Sequence, residues 1–175
     1  MTEQNADGKS DKLIDARTFW RAIGERAIGV TIVTARGVEG PAGLLALSAA
    51  HVTADPPSML VSIDERTSAL ASVLQARHFA INFLPADAKP VAEAFGGQTG
   101  LKGAARFKPG DWGTLRTGAP IFNDAIGAVD CLLEQTFGYA STTIVIGRVV
   151  DFAIKGSGMP LIYFRGRYLT DPELS

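Results

Sequence analysis

Gly43-Leu-Leu-Ala-Leu-Ser-Ala-Ala-His-Val-Thr-Ala-Asp-Pro-Pro57 is the stretch on which the fold turns. It lies between two β-branched runs, Gly29-Val-Thr-Ile-Val-Thr34 and Met59-Leu-Val-Ser-Ile63, and carries hydroxyls at Ser48 and Thr53. Small side chains let a backbone approach a flat ligand closely and leave N–H and C=O groups to recognise its polar edge. Pro56 and Pro57 stop the segment, because neither donates to a sheet ladder and Pro57 biases Pro56 towards extended backbone. A sheet edge and turn lined with small core residues would leave the same pattern.

Outward from this stretch, the totals bound the molecule. A chain of 175 residues is about one domain and long enough for a real core. A hydrophobic share of 46% with 20% charged residues is that of an ordinary soluble globular protein. The formal net charge of -1 gives no electrostatic reason for a nucleic-acid or membrane partner. No apolar run reaches the roughly 18–20 residues that span a bilayer. Residues 1–13 are polar and lack an apolar signal-peptide core, so they read as a disordered tail on a cytoplasmic protein, with one domain over 14–172. Cys131, the single cysteine, sits in an apolar run and reads as a buried structural thiol. With His51 and His78 the only histidines, no metal-ligand spacing exists.

Residues 14–28 read as a helix with Asp15 as N-cap, with Phe19, Ala22, Ile23 and Ala27 on one face and Gly29 ending it. Gly37-Val-Glu-Gly40 reads as a hairpin turn before the organising stretch. A helix is predicted over 69–75, and a strand over 79–84 in which Phe79, Ile81 and Phe83 alternate against Ala80, Asn82 and Leu84. A further helix over 85–95 presents Val91, Ala92 and Phe95 inward, and residues 96–113 read as a glycine-rich, cationic loop. Long strands over 125–137 and 144–150 flank the turn Gly138–Thr143, and Pro160–Phe164 with a basic turn closes the chain. Many short strands and few helices predict a mainly β fold, a barrel with flanking helices.

Two further features suit a ligand. The knuckle Asp64–Ser68 follows a strand and opens a helix, so Arg66, the Thr67 and Ser68 hydroxyls and the helix N–H groups suit a phosphate monoester. A solvated N-cap beside a Glu65–Arg66 ion pair would use the same residues. The turn 139–143, with Arg165, Arg167 and Tyr168, suits an aromatic or dinucleotide ligand held by stacking and charge, or is a turn beside a solvated basic cluster. No G-x-G-x-x-G, P-loop, G-x-S-x-G or paired-carboxylate motif is present.

In order and spacing the chain from about Phe19 to Tyr168 resembles the short-chain flavin reductase family. The resemblance rests on Phe19-Trp-Arg-Ala22, Gly29–Thr34, Gly43 with Ser48 and Val52-Thr-Ala-Asp-Pro-Pro57, Phe79-Ala-Ile-Asn82 and Phe95-Gly96. It continues through Arg106-Phe107, Gly118-Ala-Pro120, Cys131, Ile146-Gly-Arg-Val149 and Pro160-Leu-Ile-Tyr163.

The resemblance implies an FMN-binding split β-barrel of Greek-key type, a homodimer with FMN (sometimes FAD) near its interface. It implies that Leu44, Leu45, Ala46, Leu47, Ser48 and Ala49 lie along the isoalloxazine, and that Ser62, Asp64, Glu65, Arg66, Thr67 and Ser68 hold the ribityl phosphate. His51, Thr142 and Tyr168 would border the nicotinamide of NADH or NADPH. Hydride would pass to the flavin without a protein catalytic residue, and reduced flavin would go to a partner monooxygenase. An FMN-retaining flavoprotein reducing a corrinoid or quinone, or a non-catalytic flavin carrier, are the alternatives. This chain departs from the family in two places. Leu45 stands where Thr or Ser is common, and Ala140-Ser141-Thr142 stands where many members carry Gly-Asp-His. Thr142 donates a hydrogen bond but carries no positive charge.

Overall fold

The structure, a computed structural model, describes residues 14–169. The predicted tail at 1–13 and the last residues of the predicted domain lie outside the described residues.

Helix α1 spans Ala16–Ile23, with the Asp15 carboxylate accepting from the Thr18 N–H at 2.7 Å. It stops at Gly24 rather than running to 28. Glycine is a poor helix former, and the Gly24 carbonyl accepts from the Arg165 N–H at 3.0 Å. The freed residues then enter a short strand β1 (Ile28–Gly29). No residue of α1 is buried, and Phe19 and Trp20 are 47% and 66% exposed. The apolar face predicted there is therefore left largely uncovered by the described residues.

The next strands are β2 (Thr31–Gly37), β3 (Gly40–Ala46), β4 (Ala50–Ala54) and β5 (Pro57–Asp64). Helix α2 (Ser68–Ala76) leads into β6 (His78–Phe83), and α3 (Lys89–Phe95) follows. The predicted start of α3 at Pro85 is taken instead by a bridge between Pro85 and Pro160. Within the predicted loop 96–113 the chain makes a 3-10 helix, Gly103–Phe107, before β7 (Trp112–Thr114) and β8 (Pro120–Phe122). The long pair β9 (Gly127–Tyr139) and β10 (Thr142–Ile154) and the hairpin β11 (Ile162–Phe164) and β12 (Arg167–Leu169) complete the fold.

Seven strands form one antiparallel sheet in the order β3-β2-β6-β9-β10-β5-β4. The predicted hairpin turn joins β2 to β3 in the register Gly37↔Gly40. Directly after β3, the Ser48 hydroxyl accepts from the Ser62 N–H at 3.1 Å and donates to the Ser62 carbonyl at 3.0 Å. That contact brings the chain after β3 onto β5 and curls the sheet into a split barrel with the helices outside. One core cluster joins the sheet to α2 through Val33, Val61, Leu70 and Phe79. A second joins α3 to the 3-10 helix through Val91, Phe95, Phe107 and Phe122.

β6 departs from the predicted alternation. Ala80 and Asn82 are as fully buried as Phe79 and Ile81. Ala119 and Ile121 cover its second face, so an inner strand here is buried on both sides.

Candidate functional site

The chain after β2 and the start of α2 meet at one groove of about 460 Å³. Leu44, Leu45, Arg66, Thr67, Ser68, Phe95, Gly96 and Arg106 line it. Its size falls in the ordinary range of small-molecule sites, about 300–1,000 Å³. A larger groove of about 590 Å³ runs along residues 85–89, 124–126 and 155–159 with mixed charges, and it contains none of the residues singled out from sequence.

The knuckle forms because the Thr67 N–H closes a turn onto the Asp64 carbonyl at 2.9 Å. This folds Arg66 back over the Asp64 carboxylate, with Nε to Oδ1 at 3.0 Å and Nη2 to Oδ2 at 2.7 Å. The ion pair is therefore Asp64–Arg66, not Glu65–Arg66. Residues two apart across this turn share a side, and the Glu65 N–H is directed to the Ser141 carbonyl. Hydrogen bonds from Arg66 push the Asp64 carboxyl down to about 2. Thr67 occupies the N-cap of α2 without using its side chain as a cap. Thr67, at the start of the helix, lines the groove together with the exposed Ser68.

The small-residue segment is placed partly by the core. A Cβ on Gly43 would lie 2.6 Å from the Phe95 ring and 2.9 Å from the Val33 carbonyl. Glycine there admits Phe95, which itself forms groove wall. Leu44 and Ala46 are buried in the first cluster, and Leu45 and Leu47 pack on the second. Ala49 packs beside the first cluster, and Ser48 is engaged with Ser62. Leu44 and Leu45 reach the groove wall; Ala46, Leu47, Ser48, Ala49, Ser62, Asp64 and Glu65 do not line it.

The three residues assigned to nicotinamide are not brought together. His51 lies on β4, an edge strand exposed throughout, opposite Met59. Thr142 pairs with Asp64 across β10 and β5, beside the knuckle. Tyr168 packs on the second cluster, its hydroxyl 3.7 Å from the Cβ position of Gly96. That hydroxyl is buried without a hydrogen-bond partner among the described residues, and burial raises its pKa. Cys131 is buried on β9, where burial and then Asp130 push the thiol up to about 12, so it is no nucleophile near neutrality.

Phe95, Gly96 and Arg106 were not assigned to the site from sequence. Phe95 and Arg106 sit in elements remote from the knuckle, and only tertiary packing joins them. T-shaped contact between Phe95 and Phe107, at 4.9 Å, seats the 3-10 helix that carries Arg106. The Trp112 indole donates to the Phe107 carbonyl at 2.9 Å and fixes the same turn.

The model of the flavin reductase like domain matches residues 24–170. The chain belongs to that family. It is 35% identical over 150 residues to an FMN reductase (NADH) RutF of Agrobacterium fabrum, covering 86% of this chain and 85% of that protein. It is 37% identical over 147 residues to the RutF of Bradyrhizobium diazoefficiens, covering 82% and 81%. Among solved structures it resembles BorF, the flavin reductase component of a bacterial two-component tryptophan halogenase. There the TM-score is 0.81 at 29% identity, with 90% of this chain and 99% of that chain covered. The mainly β split barrel predicted from sequence is the fold of this flavin reductase family member. Its groove offers anion-binding groups at one place and apolar wall at another, which fits a phosphate-bearing planar cofactor and calls for no protein nucleophile.

Proposed function

We propose that this flavin reductase family protein binds FMN in the groove and reduces it with NADH. The observation that carries the reading is that two separate stretches, Leu44-Leu45 and Arg66–Ser68, line the same groove. Each suits one part of the ligand: apolar wall for the ring system, hydroxyls and charge for the phosphate. FMN, when bound, supplies the hydride-accepting ring. The chain's own residues orient it, and Thr142, which pairs with Asp64 beside the knuckle, serves the nicotinamide side.

The protein acts as a homodimer in the cytoplasm and delivers reduced flavin to a monooxygenase-type partner. Exposed Phe19 and Trp20 on α1, and the wholly exposed edge strand β4, support a second copy covering these surfaces. Arg66 is 87% exposed at the groove mouth, which supports a flavin that leaves after reduction.

The test is a visible spectrum of the protein with FMN, followed by anaerobic NADH. A shifted flavin band that bleaches over many turnovers is expected. A bound flavin left oxidised by both NADH and NADPH would make the protein a carrier, and no bound flavin would end the reading.

A further inference from the structure

Two guanidinium groups line the groove, and their electrostatic states differ. Arg66 is held in a two-point ion pair by Asp64, so its charge is compensated within the knuckle. Arg106 has no carboxylate partner among the described residues. Its Nε donates to the Leu101 carbonyl at 3.1 Å, and its Nη1 to the carbonyls of Phe95 at 3.4 Å and Gly43 at 3.5 Å. These neutral acceptors fix the guanidinium without cancelling its charge. One of them, Phe95, is the last residue of α3, where a helix end favours a cation. Arg106 is also half-buried, whereas Arg66 is largely in water, and a charge counts for more where solvent screens it less.

We propose that Arg106, rather than Arg66, is the principal phosphate-reading charge of the groove, and that it sets a preference for FMN over unphosphorylated riboflavin. The inference rests on the flavin reading of the site. The carbonyl clamp presents a planar donor group of fixed direction, and a phosphate oxygen meets it by charge-assisted hydrogen bonds. Riboflavin has no group to meet it.

The experiment titrates FMN and riboflavin separately into the wild type, Arg106→Gln, Arg106→Lys and Arg66→Gln, with circular dichroism to confirm folding. Gln keeps N–H donors for the carbonyls and removes the charge; Lys keeps the charge and removes the fork. The expected result is about a tenfold or larger loss of FMN affinity in Arg106→Gln, with riboflavin affinity unchanged. Arg106→Lys should fall between that variant and the wild type, and Arg66→Gln should lose less than Arg106→Gln. Parallel loss of both flavins, or a larger FMN loss in Arg66→Gln, overturns the inference while leaving the flavin reading standing. If Arg106→Gln does not fold, Arg66→Gln decides alone: a retained tenfold FMN preference supports Arg106, and collapse of that preference overturns it. Failure of the wild type to bind either flavin overturns the flavin reading and this inference with it.

Discussion

Polar groups at two places in this barrel are treated in opposite ways. Across the sheet, at β6, the buried Asn82 amide donates to Ile32, Thr34 and Pro120 and accepts from the Phe122 N–H at 2.8 Å. Beside it, Asp130 accepts from both the backbone and the hydroxyl of Thr117. Every one of these side chains finds its partner inside the chain. At the groove, the Thr67 hydroxyl is not used as a cap, and near the groove residue Gly96 the Tyr168 hydroxyl is buried with no partner among the described residues. Among the described residues His78 Nε2, at the start of β6, is another such atom. A satisfied network fixes the segment 115–122 on the sheet and carries stability; unsatisfied donors beside an open groove await a ligand.

The largest effect should come from the satisfied side. Asn82→Ala leaves the Phe122 N–H and several carbonyls without partners in a fully buried site. It should lower the unfolding free energy by about 3 kcal/mol. Denaturant unfolding measures this, and FMN affinity of the folded variant should stay within about twofold of wild type. An equal loss of FMN affinity would mean that the two regions are one coupled unit, and the contrast would fail.

Gly43→Ala should give an intermediate effect and cross the divide. The added methyl meets the Phe95 ring and the Val33 carbonyl, so either the ring or β3 must shift. Overpacking of this kind costs about 1–3 kcal/mol. Because Phe95 is groove wall, FMN affinity should fall in the same variant, unlike Asn82→Ala. A destabilised Gly43→Ala that binds FMN normally would show that the wall adjusts independently of the core.

How far the sequence discloses these regions follows from the range of the interactions. Local signals carried through: the Asp15 cap, the Gly37–Gly40 turn, and the buried Val91, Ala92 and Phe95 face of α3 were all legible from spacing. The end of α1 was not, because the Gly24 carbonyl is engaged by Arg165 from the far end of the chain. Burial of Asn82 was hidden for the same reason, since its cover comes from residues 119–122. At the site, the knuckle was visible as a strand-to-helix step with hydroxyls, but the identity of the Arg66 partner depended on turn geometry. Arg106 stood in a stretch that composition alone makes a loop. The Arg106-Phe107 pair counted towards the family resemblance, but only the aromatic packing of Phe107, which sets the 3-10 helix, brings Arg106 to the groove.

The smallest expected effect is also the sharpest discriminator. Thr67→Val preserves branching and volume and removes only the hydroxyl. A Thr that caps a helix through its side chain contributes about 1 kcal/mol, and losing it would show in the unfolding curve. Thr67 makes no such bond, so the variant should unfold within about 0.5 kcal/mol of wild type. Its hydroxyl, lying on the groove with Arg66 and Ser68, should instead be felt by the phosphate. One hydrogen bond of that kind corresponds to about a three- to tenfold loss in FMN affinity. Riboflavin, without the phosphate, should bind Thr67→Val and wild type alike. The reverse result, a stability loss of about 1 kcal/mol with FMN affinity intact, would make Thr67 an ordinary cap. The groove would then keep only the exposed Ser68 hydroxyl at the knuckle, and the contrast with the Asn82 network would lose its main support.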